Sequence, residues 1–228
     1  MTEARNIPPV DRIFSPAGEI ELTFFGHASL AVRADDRLVY VDPVASELGR
    51  GPWPAADLIL VTHEHYDHLD PALTARLRGP ATIVAASPAA AAKIPGAVSL
   101  GNGDSRVLQG FRVEAVPAYN VTGMRSAGVP FHPRGAGNGY VVDFQAGRVY
   151  IAGDTENVPE IQALRDIRAA FLPILRPFTM SPEMAAAWAR AVRPAILYPY
   201  HTGDADPGRL VHLMRDCPDI DVRVFPMR

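Results

Sequence analysis

At 228 residues, with 48% hydrophobic and 21% charged residues, the chain has enough apolar side chains to bury a substantial core unaided. Its formal net charge of −3 and its single lysine, Lys93, offer no basic patch of the kind that binds nucleic acid. The lone cysteine, Cys217, excludes an intramolecular disulfide framework and a cysteine-rich metal site, so any metal must be held by nitrogen and oxygen.

The opening, Met1 to Val10, is polar and proline-containing, without the apolar core of a signal peptide. No later run approaches the ~18 apolar residues of a membrane span. A cytoplasmic protein without a membrane segment is expected, folded as one domain over 1–228 with its core at about 20–225.

Alternation over Glu19–Phe25, with Ile20, Leu22 and Phe24 on one face, and the apolar Leu30–Val32 predict paired strands around the turn Gly26-His27-Ala28-Ser29. Leu38–Val41 predicts a strand that stops at Asp42-Pro43, because proline cannot donate to a ladder. Leu58–Val61 reads as a fully buried strand. It feeds directly into Thr62-His63-Glu64-His65-Tyr66-Asp67-His68-Leu69-Asp70.

This cluster carries the chemistry. Imidazole nitrogen suits zinc, iron and nickel, and carboxylate oxygen extends the range to manganese. If the chain stays extended past Val61, His63 and His65 point to the same side, and Glu64 points away as a structural or solvated group. Asp67 and His68 are adjacent, so one ion is hard for all four residues to share. The cluster therefore reads as half of a two-metal site. A single histidine at a strand end is ordinary polar surface. Three histidines and an aspartate within six positions would crowd imidazolium groups at mildly acid pH unless a cation organises them.

Beyond the cluster, Asp70-Pro71 reads as N-cap and first residue of a helix over Ala72–Leu77, and Ser87-Pro88 opens the short helix Ala89–Lys93 in the same way after a strand at Ala81–Ala85. Arg106–Leu108 and Phe111–Val116 predict a hairpin around Gln109-Gly110. Tyr119 to Gly139 is glycine- and proline-rich without a period, and long loops of this kind are often functional. Tyr140–Phe144 and Arg148–Ala152 then pair, a helix runs from Asn157-Val158-Pro159 to Leu164, and Ala169–Leu172 is a strand. Ser181-Pro182-Glu183 starts the helix Met184–Val192, in which Met184 and Trp188 fall on a core face. Ala195–Tyr198, Pro207–Arg215 and Val222–Phe225 follow as strand, helix and last strand. Such an order gives two facing sheets with helices outside.

His63-x-His65-x-Asp67-His68 resembles the signature of the metallo-β-lactamase superfamily, a group of mostly zinc-dependent hydrolases. The resemblance covers roughly Ile20 to Phe225 and implies an α/β, four-layer αββα sandwich with the metals along one edge. It extends to Gly153-Asp154-Thr155, which is similar to the family's Gly-Asp-Thr motif and implies that Asp154 bridges two metals. Tyr198-Pro199-Tyr200-His201 matches the family's final histidine and implies a second-metal ligand at His201. By the same resemblance His27 lies near the metals, although a simple turn histidine fits the sequence as well. Asp42 is placed to accept the free N–H of a metal-bound imidazole.

One position departs from the family. Many relatives carry a first-metal histidine where this chain has Asn120, and an amide oxygen is a weak zinc ligand. His132, in Phe131-His132-Pro133, is the nearest replacement: a ligand, a substrate contact, or a surface loop residue. Tyr119-Asn120 followed by Phe131-His132-Pro133 resembles a bacterial branch of metal-dependent hydrolases.

The resemblance implies two zinc ions, with Mn2+ or Fe2+ as alternatives, and hydrolysis of an ester-like bond in a small molecule by metal-activated water, with Asp67 serving that water. Thr62 to Asp70, with its tyrosine, resembles both the N-acyl phosphatidylethanolamine phospholipase D and the sugar-acid lactonase branches, so phosphodiesters and lactones are both expected substrates. Two other classes compete. A di-iron redox centre is disfavoured because such relatives commonly carry glutamate where His65 stands. A non-catalytic binding domain with a degenerate metal site rests on Asn120 alone.

Overall fold

The computed structural model describes residues 7–49 and 51–228, so the first six residues of the polar opening lie outside it. Strands β1 (Val10–Ser15), β2 (Gly18–Gly26), β3 (Ser29–Ala34), β4 (Arg37–Val41), β5 (Ala56–Val61), β6 (Arg78–Ala86) and β7 (Val98–Ser99) form a seven-stranded sheet in sequential order. Helices α1 (Ala45–Leu48), α2 (Pro71–Arg76) and α3 (Pro88–Ala91) lie in its connections. The chain continues through β8 (Ser105–Leu108), β9 (Phe111–Ala118), the small hairpin β10 (Met124–Ser126) and β11 (Val129–Pro130), β12 (Gly137–Phe144) and β13 (Gly147–Ile151). After α4 (Pro159–Gln162) come β14 (Ile167–Pro173), α5 (Pro182–Val192), β15 (Ile196–Tyr200), α6 (Pro207–Leu213) and β16 (Asp221–Val222). The second seven-stranded sheet is ordered β16-β15-β14-β13-β12-β9-β8.

The burial pattern explains the layering. In β2 the apolar Ile20, Leu22 and Phe24 all enter the core between the sheets, opposite Phe171, Tyr198 and Ile151 of the other sheet. In β5 the alternation is hidden because both faces are covered. Leu58 and Leu60 face the central core, while Ile59 and Val61 pack beneath α2 and α3 with Leu73 and Ala90. Parallel pairing of β4 with β5 and of β5 with β6 accounts for such a continuous apolar run. A third cluster, built around Trp188, Tyr150 and Leu210, fills the space between the second sheet and α5 and α6. The result is the expected αββα sandwich.

Several boundaries differ from expectation for physical reasons. Strand β1 escapes pattern reading because only Ile13 is buried in it, and Phe14 is exposed. The last strand, expected over Val222–Phe225, is instead Asp221–Val222, the two residues that find partners in Ile196 and Leu197. The loop expected to end at Gly139 ends earlier, since Gly137, Asn138 and Gly139 pair with Ala118, Pro117 and Val116. Gly139 is tolerated there because a Cβ would stand 2.8 Å from the Ala152 carbonyl oxygen. The helices are also shorter: α4 stops at Gln162 and α6 at Leu213. No helix among the described residues is long and apolar enough to cross a membrane.

Trp188 anchors the outer layer of the second sheet. It is fully buried, its ring lies 5.3 Å from that of Tyr150, and its Nε1 donates to the Ile161 carbonyl at 3.0 Å. Trp188→Ala is expected to lower unfolding free energy by about 3–5 kcal/mol, read as a shift in the urea midpoint.

Candidate metal centre

The site is assembled at strand ends. Asp42, at the end of β4, is fully buried. Its Oδ1 accepts from the Thr62 backbone N–H at 2.7 Å, and its Oδ2 accepts from the Thr62 hydroxyl at 2.7 Å and from His68 Nδ1 at 2.8 Å. That last bond places the proton of His68 on Nδ1 and leaves the Nε2 lone pair facing inward. Thr62 Oγ1, its hydrogen already given to Asp42, stands 3.0 Å from His63 Nδ1 and fixes the same tautomer there. Thr62 was not singled out in the sequence, and its place directly before the histidines was the available signal.

The run after Val61 does not stay extended. The chain turns, and the backbone N–H groups of His68 and Leu69 both donate to the His65 carbonyl at 3.1 and 2.8 Å. The turn still brings His63 Nε2 within 3.1 Å of His65 Nδ1. Glu64 stays at the rim, where its carbonyl accepts from Lys93 Nζ at 3.3 Å.

Asn120 and His132 resolve the departure noted in the sequence. Asn120 Oδ1 accepts from the His132 backbone N–H at 2.9 Å and from His132 Nδ1 at 2.8 Å, and its Nδ2 donates to the Phe178 carbonyl at 2.7 Å. With both amide atoms engaged, Asn120 fixes the orientation of the His132 imidazole. His132 Nε2 is thereby turned to within 3.2 Å of His65 Nδ1 and 3.2 Å of Asp154 Oδ2.

The second sheet brings Asp154 from the end of β13 and His201 from the end of β15. Gly153 precedes Asp154 with φ 64°, and a Cβ there would lie 2.6 Å from the Asn138 carbonyl oxygen, so the tight turn requires glycine. The Gly153 N–H donates to the Tyr200 hydroxyl at 2.8 Å, tying the two strand ends together. His27, Asp42 and His201 all adopt left-handed backbone, with φ of 48°, 43° and 46°. Such conformations cost of order 1–3 kcal/mol each and persist where the surroundings impose them.

Three groups of potential ligand atoms result: His63, His65 and His132; His27, Asp67, His68 and His201; and His63, His68 and Asp154. Asp154 stands between the first two, with Oδ2 3.2 Å from His132 Nε2 of the first and Oδ1 3.3 Å from His68 Nε2 of the second, and Oδ2 also 3.3 Å from His201 Nε2. Yet His27 Nε2, His68 Nε2, His201 Nε2 and Asp154 Oδ1 are all buried without an aligned hydrogen-bond partner. Ligands about 2.05 Å from a tetrahedral ion lie about 3.3 Å from one another. The observed separations of 3.1–3.3 Å among these atoms match that spacing, so the residues fit a metal.

The electrostatics agree. Burial, reinforced by the charge of His68, holds His63 well below the ordinary histidine value, which keeps it in the neutral, ligating form. Burial likewise lowers His65. Burial opposes charge on His68, but Asp154 and Asp42 outweigh it and raise its proton affinity, as the same negative field would raise its affinity for a cation. Asp154 is held well below the carboxylate range by His201 and His68, although burial pulls the other way. For Asp67, too, burial raises the pKa, and the His27 imidazole 3.3 Å away and the charge of His68 more than reverse it.

Residues 21–201 match the family model of the β-lactamase superfamily domain. The UPF0173 metal-dependent hydrolase of Methanopyrus kandleri is 31% identical over 82% of this chain and 86% of its own. The chain belongs to this metal-dependent hydrolase family of the metallo-β-lactamase superfamily. A crystal structure from Parabacteroides distasonis, provisionally described as a metal-dependent hydrolase, is 40% identical and superposes with a TM-score of 0.91 over 97% of this chain and all of that one. The metallo hydrolase Igni18 of Ignicoccus hospitalis shares the fold, with a TM-score of 0.71 at 23% identity over 92% and 96% of the two chains.

The structure thus brings His27, His63, His65, Asp67, His68, His132, Asp154 and His201 together, with Asn120 hydrogen-bonded to His132 beside them. Removing the Asn120 amide should free the His132 ring. Asn120→Ala is expected to weaken cation binding at the His63–His65–His132 group by about 10–100-fold, measured by chelator competition. Asn120→His should bring no gain, because the place it would fill already belongs to His132.

Proposed function

We propose that the chain is a binuclear hydrolase that cleaves an ester-like bond, a phosphodiester or a lactone, in a small molecule. In this reading His63, His65 and His132 hold one cation, Asp67, His68 and His201 hold the other with His27 beside them, and Asp154 bridges the two. Zinc is the first choice for a set of five or six imidazoles and two carboxylates, with manganese or iron as alternatives. The observation that carries the reading is the placement of the buried Asp154 carboxylate, with oxygens 3.2–3.3 Å from nitrogens of both histidine groups.

Bound there, a pair of divalent cations supplies an acidified water and a Lewis-acidic contact for the oxygen of the bond under attack. The side chains divide the remaining work. Asp67 is 32% exposed against 4% for Asp154, so only Asp67 has an oxygen open to an attacking water. Held ionised, it accepts that water's hydrogen and orients the attack. His132 is a ligand in this reading and takes no part in proton transfer, since its Nδ1 is occupied by Asn120. Phe131, Pro133 and Glu64 line a narrow cleft over His63 and His65, with a cavity volume of about 20 Å3, room for roughly a single water. The bond to be cleaved therefore approaches an almost filled site and leaves its larger substituents outside. With His132 read as the third member of the first group, Asn120 no longer argues for a degenerate, non-catalytic site.

The metal-replete protein is expected to turn over bis-p-nitrophenyl phosphate or open a simple lactone. Chelation should abolish turnover, and zinc or manganese should restore it. Inertness toward both substrate classes, together with oxygen consumption in the presence of a reductant, would favour the redox reading instead.

A further inference from the structure

Two residues beyond Asp154, Glu156 is only 2% exposed and accepts five hydrogen bonds. Its Oε2 receives the backbone N–H groups of Val121 and Thr122 at 2.8 and 2.7 Å. Its Oε1 receives the Gly123 N–H at 2.8 Å, the Thr122 hydroxyl at 2.7 Å, and the Arg176 guanidinium. Three consecutive backbone donors aimed at one anion form a nest. The anion here is a side chain of the protein itself. The nest leaves no room for a side chain at residue 123, because a Cβ there would fall 2.1 Å from the Pro177 carbonyl oxygen and 3.2 Å from Glu156 Oε1.

The segment so gripped leads out of Asn120 and returns to His132. The return is pinned by the Phe131 N–H, which donates to the Gly123 carbonyl at 3.2 Å, and by the Asn120 N–H, which donates to the His132 carbonyl at 2.9 Å. Arg176 comes from the same connection that offers the Phe178 carbonyl to Asn120 Nδ2. Glu156 thus joins the segments around 121, 154 and 176, and all three bear on where the His132 ring points. Outside this base, Met124 and Val129 of the β10–β11 hairpin are exposed.

We propose that Glu156 is a positioning residue for the metal centre: it folds the base of the 121–131 loop so that His132 Nε2 reaches the His63–His65 pair. This rests on the reading of His63, His65 and His132 as one cation site. Glu156→Gln keeps the size of the side chain but sets an amide NH2 against backbone donors. It is expected to weaken one of the two cation sites by about 10–100-fold and to leave the other at parental affinity, measured with Zn2+ or Co2+ by chelator competition and metal analysis. In a His132→Ala background the same substitution should cost that site nothing further, because the two act through one ligand. Val129→Ser, at the hairpin, should retain both ions.

Should Glu156→Gln fail to fold, Glu156→Asp serves in its place, with a smaller loss at the same site, since a shorter carboxylate cannot reach all five donors. A folded variant of either kind that binds both ions like the parent, or that weakens both equally, overturns the proposal. A parent that binds no second cation at all would instead overturn the binuclear reading on which it rests.

Discussion

Asp154 is an anion almost wholly removed from water, and its neighbours are arranged around that fact. Taking a carboxylate out of water costs several kcal/mol even after relaxation, so it needs compensating charge close by. Four imidazole nitrogens stand 3.2–3.8 Å from its oxygens and can supply such charge only as protonated rings. Four imidazolium groups in one pocket would repel one another, and burial drives His63 the opposite way, to neutrality. Protons are therefore a poor solution. A divalent cation seated among neutral imidazoles and the carboxylate would satisfy these groups, and it would account equally for the unpartnered state of Asp154 Oδ1 and of three Nε2 atoms.

The fold makes this concentration of polar groups possible by spending its apolar surface elsewhere. The parallel strands of each sheet are covered on both faces, by the common core and by helices, so the free backbone at their carboxyl ends is where polar groups can gather. Asp42 after β4, Thr62 and His63 after β5, Asp154 after β13 and His201 after β15 all occupy such ends. Three of the neighbouring residues hold left-handed backbone, a strain that the sheets beneath can absorb. Asp42 is central to the first sheet's share: one buried carboxylate orders Thr62, and through it His63, while holding His68 directly.

What the sequence revealed follows from the range of the interactions involved. The His63–His68 cluster is dense and local, so type and position alone pointed to it, whereas Asp154 and His201 stood out only through the resemblance to the family's Gly-Asp-Thr and final-histidine motifs. The central strands were legible from their plain apolar runs, and β1 was not, because a single buried Ile13 makes no pattern. The geometry of the cluster was misjudged: convergence of His63 and His65 comes from a turn capped on the His65 carbonyl, which strand periodicity cannot anticipate. The pairing of Asn120 with His132 was out of reach, since it depends on the Phe178 carbonyl, 58 residues away from Asn120. Glu156 gave no signal at all, because an acid after a strand is usually solvated.

In the metal centre we propose, one ligand comes from a loop instead of a strand end, which changes what the site depends on. A histidine at position 120 would inherit its position from β9, whereas His132 inherits its position from an ordered loop and from the asparagine that stands in the vacated place. Ordering a loop costs roughly 1–2 kcal/mol of backbone entropy per residue, which the hydrogen bonds at its base must offset. Those bonds are gathered at the two points where the loop leaves and returns, at Val121–Gly123 and at Phe131–His132. Between them, Met124 and Val129 lie at the surface. The exposed hairpin can thus vary while the bonds at its base keep His132 in register.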